Sequence, residues 1–312
     1  MKKNTFLLVI AFFSIYVFWG STYLLNKIVV SQLPPLMLSG IRFTIAGLLI
    51  FLIARILGIS LRITRKQFVN SLIAAFFFLS YGNGIMVWAL QYVDSGFAAL
   101  EASTQPIVIL VMMRLYYGKR IRWKSIVGVL LGIMGMYLLV SQETLTMEEG
   151  SLLGIIMIFT CIISWSVGSL FVANAQLPSN YFIATGYQMF IGGIMLLLSS
   201  LIFGEQWSSP TDWSPLIILC IVGLILFGSI AAFTSFNYLL KKVSTEKVAT
   251  SAYVNPVIAV FLGWYVLDEP VTLQTICAAA ILLLGVYFIN SARVVKALKG
   301  AEHETDDLSE VK

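Results

Sequence analysis

Charge is scarce in this sequence. Only 11% of its 312 residues are Asp, Glu, Lys or Arg, against about 25% in an ordinary soluble domain, so the chain cannot cover a globule with polar surface. Histidine is scarcer still, the single one being His303 in the polar stretch Ala301 to Lys312. The three cysteines, Cys161, Cys220 and Cys277, are each isolated in a separate apolar run. These absences exclude a His/Cys metal site, a Cys–His catalytic pair and a disulfide framework. There is also no Gly-Lys-Ser/Thr phosphate loop, which speaks against nucleotide hydrolysis as a driving force.

What fills the sequence instead is apolar: 59% of residues are hydrophobic and the mean hydropathy is +0.92. Runs of spanning length are read at Phe6 to Lys27, Leu36 to Leu57, Phe68 to Tyr92, Ser95 to Tyr117 and Trp123 to Val140. Five more follow at Leu152 to Asn174, Tyr181 to Phe203, Ser214 to Leu240, Val248 to Leu267 and Val271 to Ser291. At about 20 residues per crossing these ten leave only short connections. All should be α-helices, because hydrocarbon offers no partner for unpaired backbone groups and the alternating pattern of a membrane barrel is absent. Lys2-Lys3 before an apolar stretch is compatible with a secretory signal, but the stretch runs past a normal signal core and Trp19-Gly20-Ser21 is a poor cleavage region, so span one is expected to be retained.

The connections vote on orientation. With a cytoplasmic N-terminus, Lys2, Lys3, Arg55, Arg62, Arg65, Lys66, Arg114, Lys119, Arg120, Lys241, Lys242 and Arg293 fall inside, while Asp94, Glu143, Glu148, Glu205, Asp212, Asp268 and Glu269 fall outside. This is the segregation that the positive-inside rule describes, and it accounts for the net charge of +5 without a nucleic-acid partner. Both termini are then cytoplasmic, in an inner or plasma membrane. The end of the chain, Glu302 to Lys312, is polar and rich in acids.

The last five spans echo the first five. At an offset of 150, Val93, Ala99, Ala102, Pro106, Gly135 and Tyr137 match Val243, Ala249, Ala252, Pro256, Gly285 and Tyr287. At an offset of 146, Trp19 matches Trp165, and Arg42-Phe43 aligns with Gln188-Met189. One four-residue insertion between spans two and three reconciles the two offsets. An odd number of crossings per unit inserts the second copy upside down, so the expected fold is all-α, with ten transmembrane helices as two inverted five-helix repeats and a site between them near the midplane. The units are 1–142 and 143–295, followed by a polar cytoplasmic tail, 296–312.

Trp19-Gly20-Ser21 in span one, Gln105-Pro106 and Asn255-Pro256 in spans four and nine, and Leu267-Asp268-Glu269-Pro270-Val271 before span ten resemble the EamA-type transporters of the drug/metabolite transporter superfamily. The resemblance covers all ten spans. Two positions depart from it: Gly118-Lys119-Arg120 lacks the acid usual at its middle position, and Asp268 replaces a usual glycine. The resemblance implies transport of amino acids, nucleosides, other metabolites or drugs, commonly outward, with several members thought to use the proton gradient.

The residues themselves point to a site. Glu101 lies about 9 Å into span four at 1.5 Å per residue, and Arg42 at a comparable depth in span two. An intramembrane acid is costly unless it is paired, protonated or facing a wet cavity. Glu101 and Arg42 therefore read either as a structural ion pair or as a proton-coupling group with its neighbour, and Lys27 is a second partner unless it snorkels to the interface. Gln105 shares the face of Glu101 one turn on, and its repeat mate is Asn255. Pro106 and Pro256 follow these amides and remove backbone donors, marking two hinges beside loosened carbonyls. Trp19 and Trp165 lie too deep for interfacial anchors and are assigned to the cavity wall. Tyr81, Asn83, Gln188 and Tyr253 complete the substrate-binding candidates, with interhelical hydrogen bonding as their alternative use. The small residues Gly128, Gly132 and Gly135 of span five form a packing face, with a homodimer contact as the other use.

The sequence thus reads as a secondary-active exporter of small metabolites such as amino acids, working by alternating access on a small-molecule substrate in a lipid bilayer, with coupling to an ion gradient, protons being the candidate ion, or facilitated movement as its two modes. No metal or cofactor is expected. An uptake carrier of the same fold is the first rival. A multi-span enzyme would need a convergent His, Asp or metal cluster, and a sensor would need neither a duplicated site nor a wet cavity.

Overall fold

The computed structural model describes residues 2–117, 123–141, 150–243, 248 and 251–288. The basic loop holding Lys119 and Arg120, the acids Glu143, Glu148 and Glu149, and the tail 296–312 lie outside the described residues. Seven helices are long and apolar enough to cross a membrane: α1 (Thr5–Val30), α2 (Pro35–Ile56), α3 (Arg65–Ala89), α4 (Ser95–Tyr116), α6 (Ser151–Val172), α7 (Tyr181–Ile202) and α8 (Pro215–Leu239). Three shorter apolar helices accompany them: α5 (Trp123–Val140), α9 (Ser251–Leu267) and α10 (Leu273–Phe288). Every regular element among the described residues is helical.

Local chemistry sets the helix ends. α2 and α8 begin with proline at their first turn, where the missing N–H costs nothing. Thr64 and Gln67 close a reciprocal capping box at the start of α3. Asn180 accepts from Phe182 N at 2.9 Å to open α7. α2 and α7 stop in the same way. Gly58 and Gly204 adopt φ of +68° and +70°, and Ile59 N and Glu205 N reach back to Ala54 O (2.8 Å) and Ser200 O (3.0 Å). The four-residue insertion expected from the repeat falls here, because the α7–α8 connection 203–214 is longer than its counterpart 57–64.

Packing centres on α2 and α7. A Cβ at Gly47 would fall 2.6 Å from Phe190 N, one at Gly40 2.7 Å from Leu197 Cδ2, and one at Gly186 2.8 Å from Ile50 Cγ2. The partner number falls as the residue number rises, so the two helices run antiparallel with backbones in close approach. α5 and α10 pair likewise: Gly285 sits against Gly128 and Gly132, and Gly135 against Ala278 and Leu282. The small-residue face of α5 is thus occupied by α10 of the same chain. Around these seams the contacts repeat with the halves exchanged. α1 packs on α9 and α8, α6 packs on α4 and α3, and α4 packs on α9. The outward surface is apolar, with Leu48, Leu115, Ile133, Ile202, Leu219 and Leu273 all exposed, as a lipid-facing belt requires.

Candidate solute-binding cavity

One face of α1 carries Trp19, Thr22, Tyr23 and Asn26, spaced at i, i+3, i+4 and i+7, which places them along one helical stripe. All four line a cavity of about 200 Å³. Across it stand Arg42 and Phe43 of α2, Asn83 of α3, Ser103 and Gln105 of α4, Cys161 and Trp165 of α6, Gly228 and Phe233 of α8, and Asn255 and Pro256 of α9. Both halves of the chain contribute. The volume lies below the ~300–1,000 Å³ of pockets that hold drug-sized ligands, so the space suits a small solute.

Three of the helices around the cavity are wound with π-turns, at Ser14–Phe18 in α1, Phe76–Asn83 in α3 and Leu224–Ala231 in α8. Such turns release carbonyls from the regular ladder and are frequent at functional sites. The freed groups are used. Trp19 Nε1 donates to Gly228 O at 3.2 Å, and Ser164 Oγ to Phe77 O at 2.8 Å. The Asn255 amide, oriented from its neighbours, donates to Ile15 O (2.9 Å) and Tyr16 O (3.0 Å). The two tryptophans are seated alike: Trp19 bonds to Gly228, and a Cβ at Gly82 would lie 2.6 Å from Trp165 Nε1. Glycine at 82 is what lets the Trp165 indole lie against the helix backbone, whereas a side chain at 228 would meet Thr22 and Arg42.

The proline-linked positions differ between the halves. In α4 the helix breaks at Ser103–Thr104, just ahead of Gln105 and Pro106, while α9 continues through Pro256. At the first break, Ser103 Oγ and Thr104 Oγ1 turn back onto Leu100 O and Glu101 O at 2.6 and 2.7 Å.

Arg42 is 3% exposed. Its Nε donates to Ser229 Oγ at 2.8 Å and its Nη1 to Asn26 Oδ1 at 3.4 Å, and the guanidinium carbon lies 4.7 Å from the centre of the Phe43 ring. Glu101 is 1% exposed, and both its carboxylate oxygens are without a hydrogen-bond partner among the described residues. Arg42 and Glu101 are therefore not joined. Glu101 lies beside the cavity residues Ala102 and Ser103 but is not on the cavity wall itself. Lys27 instead donates to Leu90 O (2.9 Å) and Val93 O (2.7 Å), carbonyls just beyond the end of α3, where a cation complements the helix dipole.

Of the predicted substrate-binding residues, Trp19, Asn83, Gln105, Trp165 and Asn255 come together around the cavity. Tyr81 is on an exposed face next to Phe76, because the π-turns that aim Asn83 inward turn its neighbour outward. Gln188 is buried but off the cavity wall, which its neighbour Met189 reaches instead. The Tyr253 side chain lies outside the described residues. The sequence reading missed Thr22, Asn26 and Ser229, although the helical spacing of Trp19, Thr22, Tyr23 and Asn26 was there to be read.

It also missed the work of two loop acids. Glu269 accepts from Ser95 N (2.8 Å), Ser95 Oγ (2.9 Å) and Gly96 N (3.0 Å), capping α4. Glu205 accepts from Leu36 N (3.0 Å) and Met37 N (2.8 Å), capping α2. Both carboxylates meet the positive end of a helix from the other half of the chain. Asp268, standing where a glycine is usual, has φ of +53°, a conformation that Asp tolerates better than most residues. Glu269→Ala would strand two buried N–H groups, so a loss of about 2–3 kcal/mol is expected, read as a lowered thermal unfolding midpoint in detergent. Asp212→Ala, at an exposed position, should stay within about 0.5 kcal/mol of the parent.

A family model described as the EamA-like transporter family matches the chain twice, over residues 6–141 and 152–291. The chain belongs to the EamA-like transporter family. Among its relatives, the uncharacterized inner membrane transporter YedA of Escherichia coli strain K12 is 36% identical over 254 residues, covering 81% of this chain and 80% of that protein. The uncharacterized transporter YoaV of Bacillus subtilis strain 168 is 26% identical over 279 residues, covering 88% and 93%. A probable amino-acid metabolite efflux pump of Escherichia coli strain K12 is 25% identical over 301 residues, covering 91% and 95%. A solved crystal structure 20% identical in sequence matches the fold with a TM-score of 0.65, covering 94% of this chain and 99% of that one. This EamA-like chain is accordingly a multi-pass membrane protein, and its relatives are named as transporters.

Proposed function

We propose that the protein is a secondary-active exporter of small amphipathic metabolites, amino acids or related compounds, in the inner or plasma membrane. The observation that carries this reading is a single cavity walled by both halves of the chain, with Trp19 and Gln105 from one half, and their repeat mates Trp165 and Asn255 from the other. A site shared in this way can be exposed to each side in turn when the halves exchange conformations. Inverted five-helix units, 1–142 and 143–295, fit the antiparallel α2–α7 and α5–α10 seams, and α5, α9 and α10 complete a set of ten crossings. Both termini would be cytoplasmic, with the Glu205 and Glu269 end outside. Outward transport is supported by the relative named as an efflux pump. Glu101, deep in α4 and without a partner among the described residues, is the group we assign to proton coupling, with Pro106 and Pro256 as hinges.

The test is a proteoliposome flux assay over a panel of amino acids and nucleosides, with and without a pH gradient. Gradient-dependent movement of at least one solute above protein-free liposomes is the expected result, and its direction separates export from uptake. A folded protein that moves none of the panel, with or without the gradient, would overturn the reading.

A further inference from the structure

Arg42 brings a positive charge to the cavity wall, and nothing in the wall answers it. The guanidinium is 3% exposed, Nε is engaged by Ser229, and Nη1 gives one hydrogen bond to Asn26. Nη2 makes no hydrogen bond to another described residue, and it lies beside Gly228, itself a cavity-lining residue, where an added Cβ would be 3.0 Å from it. That leaves both Nη2 donors and one Nη1 donor of a buried guanidinium unused by any described residue, and such donors meet a carboxylate through charge-assisted hydrogen bonds, two of them at once where they lie parallel. Among the described residues no carboxylate lines the cavity, Glu101 lying beside it and not on its wall, so a carboxylate on the occupant would supply the negative charge that the wall lacks. The same wall carries aromatic rings, Phe43 against the guanidinium itself and Trp19 and Trp165 elsewhere on the lining, beside polar groups such as Asn83 and Gln105.

From these observations we infer that Arg42 is the specificity-determining residue and that the solutes are small carboxylates with an apolar or aromatic body. The inference rests on reading the cavity as the transport site. The carboxylate is the group recognised, and an ammonium on the same solute is neither required nor sufficient. Ser229 and Asn26 hold the guanidinium in place and leave its remaining donors to the solute.

Equilibrium dialysis on the full chain in lipid nanodiscs tests this, using radiolabelled matched probes. These are 3-phenylpropionate against 3-phenylpropionamide, L-phenylalanine against L-phenylalaninamide, and 4-methylpentanoate against its amide. Each carboxylate should bind about 10- to 100-fold more tightly than its amide, the span expected for hydrogen bonds to a charged group. In Arg42→Gln that ratio should fall toward one, and Arg42→Lys should restore part of it by keeping the charge without the guanidinium's paired donors. A general loss of folding would weaken both members of a pair together and leave the ratio in place. Should Arg42→Gln not fold, the wild-type ratios alone decide. Equal binding of acids and amides, or no binding of any of the three carboxylates, overturns the inference. Flux of non-carboxylate solutes alongside equal binding would leave the transporter reading standing while this one fell. Selective binding of carboxylates without flux of any solute would do the reverse.

Discussion

Glu101→Gln is expected to reduce accumulation driven by a pH gradient by 10-fold or more in proteoliposomes, an order-of-magnitude expectation for removing the coupling group, while solute exchange without a gradient continues. The substitution keeps the size and shape of the side chain and removes only its ability to exchange a proton. Both oxygens of Glu101 are buried and without a partner among the described residues, so the change breaks no ion pair among them. Arg42 is held independently, by Ser229 and Asn26. A carboxylate charge in that place would be uncompensated, whereas a carboxyl that takes a proton on one side and releases it to the other meets that cost only for part of the cycle. Its position just before the break at Ser103–Thr104 places the protonation event next to the interruption in α4. Unchanged accumulation in Glu101→Gln would assign the residue to packing.

The second large effect is structural. In Gly193→Leu, the new side chain would enter the backbone of Thr44 across the α2–α7 seam, where even a Cβ would lie 2.9 Å from Thr44 Cα. Backbone cannot step aside as a flexible side-chain end can, so the cost should reach or exceed the ~1–3 kcal/mol of ordinary overpacking. Fluorescence-detected size exclusion after heating should show a midpoint lowered by about 5–10 °C, or loss of the monodisperse peak. Gly223→Ala is the matched control, because a Cβ there meets only Leu25 Cδ1, at 3.6 Å. A midpoint for Gly193→Leu within about 2 °C of the parent would mean that the seam has slack.

Much of the helical layout was legible from the sequence because lipid enforces a simple rule. A run must be apolar and long, and its ends must find caps, so the read boundaries fall within a few residues of the observed ones, as at Ser95–Tyr116 and Tyr181–Ile202. The repeat was legible through paired landmarks, such as Trp19 with Trp165 and Pro106 with Pro256, although only the first proline stands at a helix break. Less of the cavity could be read. Asn83 and Tyr81 are two apart in α3, and regular helical geometry alone does not say which faces inward; the π-turns at Phe76–Asn83 decide it, and no residue type announces a π-turn. Glu205 and Glu269 were read only as votes on topology, since a carboxylate in a loop does not reveal that it caps a helix from the other half. Asn26 was passed over beside Lys27, although its place one turn after Thr22 put it on the same polar stripe.

The central claim is that two like halves, inserted in opposite senses, enclose one site. The loops 57–64 and 203–214 are counterparts in the two halves, so they report on it directly. In a background with Cys161, Cys220 and Cys277 replaced by serine, single cysteines at Ser60 and Ser208 would be labelled with a membrane-impermeant maleimide in right-side-out and in inverted membrane vesicles. The account predicts that Ser60→Cys reacts only in inverted vesicles and Ser208→Cys only in right-side-out ones. Labelling of both from the same side would contradict it.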